Sequence, residues 1–487
     1  MEKPKCYVYN VIKVGSQRES RGGYCGLMNN GEVQRGLKPR HINLIALGGI
    51  ISSGYFLGIG YVLDKAGPAA ILAYVLGGLI VFSVMLCLGE LAVYRPISGS
   101  FISYARDYIS PAWACGVGWS YWITWVSYVP SEMIAAGIIM NQLIPTIAPE
   151  WWAVLFGLLV TVINLFHVEK FGETEYWLAI IKIVALIMFS VLGFLIFLGI
   201  IGDAGFLGTS ILFGNRGFAP NGYWSAFLTM VIILVNFQGS EIIGLAAGEC
   251  QEPEKSIPKA IRNVVWRILG LYIVPLLILV TIFPWDKASL EESAFAAALS
   301  THGMTWVGKA FAFVILSAAI SCSNSGLYGC SRAMYSLAKE DMAPTIFGKL
   351  DQSGVPRNAI LFSIIASWIG IALYTVDASK SLYTSLLALS GFSGAIAWIS
   401  ICWCQYNLRM RLRANGEEGK LKFKTPLFPY VTLFGIWVQV ACLIVAALTD
   451  DLRISLLIGV PILIIPIIWY KTRARLSRHL PPLSEDA

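Results

Sequence analysis

Twelve stretches of mostly apolar residues follow one another along this 487-residue chain, near 42–63, 69–93, 112–143, 152–167, 174–201, 223–247, 262–284, 305–338, 358–376, 381–408, 427–448 and 453–470. A helix of about 20 apolar residues crosses the hydrocarbon core of a bilayer. Backbone in hydrocarbon must satisfy its own hydrogen bonds, so runs of this length read as transmembrane helices. The expected fold class is therefore an all-α integral membrane protein with about 12 spans. Composition agrees: 13% of the residues are charged and 56% hydrophobic, whereas soluble chains carry about 25% charge. That balance excludes a set of soluble domains, a disordered chain, a disulfide scaffold and a nucleic-acid-binding module. The expected organisation is an N-terminal tail (1–41), a transmembrane domain (42–470) and a C-terminal tail (471–487). The N-terminal tail has no apolar core, so it does not read as a cleaved signal peptide.

The net charge of +7 looks at first like a basic patch. Its distribution points elsewhere. With both termini placed in the cytoplasm, 28 of the 36 Lys and Arg fall in inward segments and five in outward loops (Lys65, Arg216, Lys287, Lys380 and Arg453). This asymmetry follows the positive-inside rule, so the charge is a topology signal and places the chain in the cell membrane with cytoplasmic termini. The basic loops also suit contact with anionic membrane lipids. The ten cysteines read as small apolar packing residues; Cys402 and Cys404, two apart on a helix, face different sides.

Two spans carry helix breakers at mid-membrane: Gly48-Gly49-Ile50-Ile51-Ser52-Ser53-Gly54 in span 1, and Phe237-Gln238-Gly239-Ser240-Glu241 followed by Gly244 and Gly248 in span 6. Irregular backbone at that depth is tolerated only inside protein or along a cavity. Interrupted spans at corresponding positions of two halves point to a transporter site in a repeat of spans 1–5 and 6–10. Freed N–H groups at a half-helix start suit a carboxylate, and freed carbonyls suit an ammonium. An α-amino acid carries both. The bland alternative is that these glycines only let helices pack closely.

Charged groups within spans are costly and mark function by default. Glu241 lies in the span 6 break, as an acceptor for a substrate amine or a support for the unwound chain. Glu132 in span 3 suits either Lys182 or a cationic substrate side chain. Lys182 in span 5 suits a proton carrier, because a buried lysine changes charge readily, or a structural ion pair. Glu90 and Arg95, near the end of span 2, read as structural.

These residues sit in motifs with a resemblance. FQGSEIIGLAAGECQEPEKSIPKAI (237–261), GELAVYRPISGSF (89–101), NSGLYGCSRAMYSLAKEDMAP (324–344), GVPRNA (354–359) and AGP (66–68) resemble, in order, the signatures of the amino acid transporter family of the amino acid–polyamine–organocation superfamily. The resemblance covers about residues 36–475. It implies a leucine-transporter-like 5+5 inverted repeat with helices 1 and 6 broken, and secondary active, proton-coupled uptake of an amino acid. It implies that the substrate carboxylate meets span 1 backbone around Ser52, Ser53 and Gly54, and that the amine meets carbonyls near Ile50, Phe237 and Ser240. Some proton-coupled relatives hold a span 5 lysine in place of a sodium ion, and Lys182 matches that position. The chain departs from the family at Ser52, where glycine is usual, which bears on substrate choice. The FQGSE form is similar to that of members carrying lysine and arginine, and Glu132 suits a cationic side chain. A cationic amino acid is the expected substrate; a neutral or other amino acid, or exchange in place of symport, is the alternative.

Two other classes compete. Gly391-Phe392-Ser393-Gly394 fits the short pattern of intramembrane serine proteases, but His41, His167, His302 and His479 lie at span ends or in tails, away from a mid-membrane serine that needs a base within hydrogen-bond reach. A channel would need a continuous lined pore. The expected partners are an amino acid, protons and lipids, with no cofactor, no metal and no nucleic acid. The expectation is a transporter, not an enzyme.

Overall fold

The computed structural model describes residues 51–97, 99–166, 171–202, 205–214, 216–242, 244, 253–352, 354–376 and 380–479. All of these belong to one compact unit, Val33–Ala487. Among the described residues every regular element is helical. Nine helical runs among the described residues are long and apolar enough to cross a membrane. One of them, Ser53–Tyr94, joins two spans through a 3-10 turn at Gly67–Ala69. Pro149–Phe166, span 4, is shorter, and span 6 is in pieces, which accounts for the twelve.

Span 1 is described as Ser53–Phe56 and Gly58–Ala66, and span 2 as Ala70–Tyr94. Span 3, Pro111–Leu143, starts cleanly: Ser110 accepts from the Trp113 N–H, and Pro111 occupies a first-turn position where no N–H is missed. Span 5 is Phe171–Phe197 and span 6 is Tyr223–Leu228 with Met230–Val235. From Asn236 to Glu241 span 6 runs as turns, with Gly239 at φ +98°. Span 7 starts at Pro253, earlier than the sequence predicts, and has two helical parts, Pro253–Ile268 and Val274–Ile282, around a π-helical turn at Leu269–Ile273. Pro275 follows that turn and has no N–H to give, a usual origin of such irregularity. Spans 8 to 12 are Thr305–Lys339, Arg357–Val376, Lys380–Ala414, Tyr430–Leu448 and Asp450–His479. Spans 10 and 12 outrun their predicted ends because apolar content stops before helical hydrogen bonding does.

Of these nine runs, spans 3 and 10 are the most buried and span 12 the least. The outer helices are apolar outward: Ile365, Ile369, Leu373 and Val376 form an exposed stripe on span 9. Such a stripe fits acyl chains, where a soluble helix would place charge.

The end of the bundle where span 2 stops is tied by ions. Glu90, fully buried, accepts from Arg409 of span 10 through Nε (2.7 Å) and Nη2, and from the Thr425 N–H (2.6 Å). Arg95 pairs with Asp107 in the short helix Ser100–Tyr108, and Arg106 pairs with both Asp107 (2.7 Å) and Glu340 at the end of span 8. Both Glu90 and Arg95 thus hold the helix ends together. Burial pushes the Asp107 carboxyl up, but Arg106 and Arg95 outweigh it and hold the group below the usual carboxylate range.

Candidate functional site

The two breaks lie against each other. Ser52 is extended (φ −114°, ψ 172°) and starts the half-helix Ser53–Phe56. A Cβ on Gly54 would stand 2.7 Å from Asn236 Oδ1 in the span 6 break, so only glycine lets the two chains approach this closely. Asn236 is fixed there: its amide donates to Tyr74 OH (2.6 Å), and its carbonyl accepts from Tyr272 OH (2.9 Å). Tyr55 OH in turn donates to the Tyr272 carbonyl (2.7 Å).

Ser52, Ser53, Glu132, Lys182 and Glu241 are all 0% exposed, and Phe237 and Ser240 1%. The region is occluded. Ile50, the remaining predicted residue, lies outside the described residues. Several buried polar atoms converge here without a well-formed hydrogen bond among the described residues: Ser52 Oγ, Ser53 Oγ, Glu132 Oε1, Asn236 Oδ1 and Tyr383 OH. Native interiors leave few such atoms, and bound water or a polar guest would satisfy them.

Each predicted charge has a definite position. The Glu132 carboxylate accepts from the Ser53 backbone N–H through Oε2 (3.1 Å) and lies close enough to Lys182 to feel its charge. Glu241 accepts from Tyr121 OH (3.0 Å), Trp398 Nε1 (3.0 Å) and the Gly239 N–H (3.1 Å to Oε2). The carboxylate thus braces the unwound chain against spans 3 and 10. Ser240 Oγ donates to the Phe237 carbonyl (3.0 Å) and accepts from Arg267 Nη2 of span 7 (3.2 Å). Lys182 Nζ donates to Ser321 Oγ of span 8 (2.8 Å) and lies 3.8 Å from Cys322 Sγ. The Cys322 thiol donates to the Ile51 carbonyl in span 1 (3.2 Å). Spans 1, 5 and 8 therefore meet at this lysine.

Sequence reasoning did not single out Arg267, Asn236 or Glu175. Glu175 is fully buried and accepts from Ser321, but it sits at the edge of an apolar run and reads there as interfacial. Arg267 is 5% exposed; the signal that finds it is a charge within the apolar half of span 7. Asn236 next to a breaker cluster carries no charge to draw notice.

The protease-like pattern in span 10 has a packing explanation. A Cβ on Gly391 would stand 2.5 Å from the Val231 carbonyl, and one on Gly394 2.0 Å from Gln238 Nε2. Both glycines admit span 6, whose Gln238 bonds reciprocally with Ser390 (3.0 and 3.1 Å). Among the histidines, His302 is engaged with the Ile282 carbonyl (2.8 Å), near the end of span 7.

Residues 41–480 match the family described as amino acid permease. The chain belongs to the amino acid permease family. The permease is 41% identical over 446 residues to amino-acid permease RocC of Bacillus subtilis (strain 168), which spans 90% of this chain and 94% of that one. It is 35% identical over 477 residues to the lysine-specific permease LysP of Escherichia coli (strain K12), covering 93% of this chain and 96% of the relative. Among solved structures, a manganese transporter of Eremococcus coleocola superposes with a TM-score of 0.53 at 14% identity, over 92% of this chain and 99% of that one. That likeness speaks for the fold alone, and the permease has a leucine-transporter-like fold with broken spans 1 and 6. It is a multi-pass membrane protein, and the family's substrate class is amino acids.

Proposed function

We propose that this permease takes up a cationic amino acid, lysine or arginine, coupled to protons, in the cell membrane with both termini cytoplasmic. Lys182 carries the coupling reading. Its ammonium is buried at the joint of spans 1, 5 and 8, tied through Ser321 and through Cys322 to the Ile51 carbonyl. A proton lost or gained there changes the bonds that hold span 1 to span 8, and a switch of that kind couples charge to conformation. The substrate carboxylate binds the span 1 backbone around Ser52, Ser53 and Gly54. The amine binds carbonyls near Ile50, Phe237 and Ser240. Glu132, with Oε1 uncommitted, receives the substrate's positive side chain. Glu241 adds to the site by setting the shape of the span 6 break. The similarity to a lysine-specific permease supports the substrate class.

A second reading, a neutral substrate, is favoured by Arg267, whose guanidinium sits on Ser240 at the same break and opposes a second positive charge. Two measurements on purified protein in liposomes decide. A competition panel of twenty amino acids against labelled lysine reports the class: neutral amino acids competing as well as arginine would sink the cationic reading. Lys182→Ala under an inward proton gradient reports the coupling: accumulation that persists as in the unaltered protein would sink Lys182 as the coupling group.

A further inference from the structure

The buried carboxylate of Glu175 has no part in substrate binding as described, yet it ends a chain of donors that begins at Lys182. Lys182 Nζ donates to Ser321 Oγ at 2.8 Å, and the same hydroxyl donates onward to Glu175 Oε1 at 2.5 Å. Both bonds point from lysine to carboxylate. Lys182 and Glu175 are two helical turns apart on one face of span 5, and the long Lys182 side chain leans toward the N-terminus, back toward Glu175. Glu175 Oε2 is buried with no hydrogen bond among the described residues. Glu132 lies near Lys182, Cys322 feels both Lys182 and Glu175, and Ser325, one turn along span 8, faces the Glu175 carboxylate.

We propose that Lys182, Ser321 and Glu175 form a proton relay, with Glu175 as the group that takes the proton from Lys182 on its way out of the membrane. This rests on the reading of Lys182 as the coupling group. In the step, the N–H bond of the Lys182 ammonium breaks and its proton forms a bond to Ser321 Oγ. The hydroxyl's own proton passes to Glu175 Oε1. The products are a neutral amine, a neutral hydroxyl and a protonated carboxyl. No oxidant, reductant or further reactant is involved, and the two opposite charges annihilate inside the low-dielectric interior, so no isolated charge is left behind. Glu175 is the fifth residue of span 5, at the end that faces the cytoplasm in the proposed orientation, so release from it completes an inward passage.

The test uses the full-length permease in liposomes with the membrane potential clamped. Proton entry with substrate is read by an internal pH dye, and counterflow exchange of labelled lysine is read in parallel. The variants are Glu175→Gln, Ser321→Ala, Ser321→Thr and Lys182→Ala. The relay predicts that the ratio of proton entry to counterflow falls by about tenfold or more in Glu175→Gln and Ser321→Ala, while Ser321→Thr, which keeps a hydroxyl, holds it. If Lys182→Ala lowers the ratio and Glu175→Gln and Ser321→Ala keep it, the relay is wrong and the reading of Lys182 stands. If Lys182→Ala also keeps it, that reading fails and the relay with it. If Glu175→Gln lowers both rates together, Glu175 only balances charge, and the relay is overturned. Should Glu175→Gln fail to fold, the contrast between Ser321→Ala and Ser321→Thr decides by the same ratio.

Discussion

Glu132 Oε2 lies 3.1 Å from the backbone N–H of Ser53, one of the span 1 groups proposed to receive the substrate carboxylate. A protein carboxylate therefore stands where a ligand carboxylate is expected, and a zwitterion entering the site competes with it. Displaced from Ser53, Glu132 is free to meet a positive group on the same molecule. On the proposed reading, one residue acts both as the occupant of the site at rest and as a partner of the substrate's side chain.

Glu132→Gln keeps an oxygen for the Ser53 N–H but removes the charge. A hydrogen bond to a charged group contributes about 1.5–3 kcal/mol, so the apparent affinity for lysine should fall by about tenfold or more, while that for a neutral amino acid falls less. Competition binding to the purified variant measures the difference. Equal losses for both would show that Glu132 does not read the side chain.

Gly54→Ala places a methyl group 2.7 Å from Asn236 Oδ1. Asn236 is tethered by Tyr74 and Tyr272 and has little room to yield. Overpacking of this kind costs about 1–3 kcal/mol. The variant should insert in the membrane yet lose most transport, because the strain falls on the contact between the breaks. Surface expression with near-normal uptake would contradict this.

Glu241→Gln exchanges an acceptor-only group for one with an amide NH2. Tyr121, Trp398 and Gly239 all donate to this carboxylate, so the amide leaves at least one donor facing another. A buried group left unsatisfied costs about 1–3 kcal/mol. The melting temperature in detergent should drop by several degrees, and Glu241→Ala should drop it further.

Asp107 joins Arg95 and Arg106 outside the spans, and its carboxyl is held below the ordinary range. For a depressed carboxyl, the stabilising contribution is complete above the ordinary carboxylate range and disappears as pH falls through the lowered value. Asp107→Asn should therefore be less stable than the unaltered permease at neutral and mildly acidic pH. The two melting curves should converge only when pH falls below the ordinary carboxylate range. A gap independent of pH would show that Asp107 acts by packing.

Much of this was legible in the sequence because hydrocarbon enforces plain rules. A run of Gly and Ser in an apolar stretch is a break, and a lone Lys182 in span 5 is conspicuous. The legible part ends where partners come from other spans. Nothing near Lys182 in sequence names Ser321, 139 positions away. Glu132 was readable as a charge but not as the acceptor for Ser53, because that choice depends on how span 3 lies against span 1. Arg267 lies near the start of the apolar run 262–284, but the helix begins at Pro253 and carries the residue well inside.

The π-helical turn Leu269–Ile273 in span 7 decides where that helix points. In a regular α-helix, residues five apart lie about 140° apart around the axis, so Arg267 and Tyr272 would look in different directions. Through a π turn, bonded i to i+5, they come nearly into line. Both reach span 6: Arg267 to the Ser240 hydroxyl, Tyr272 to the Asn236 carbonyl. One surplus residue thus works as a rotary offset, aiming the two halves of the helix at one target. Deleting a single residue from 269–273 would leave an apolar helix of sufficient length for the bilayer, with every side chain beyond it turned away from the site.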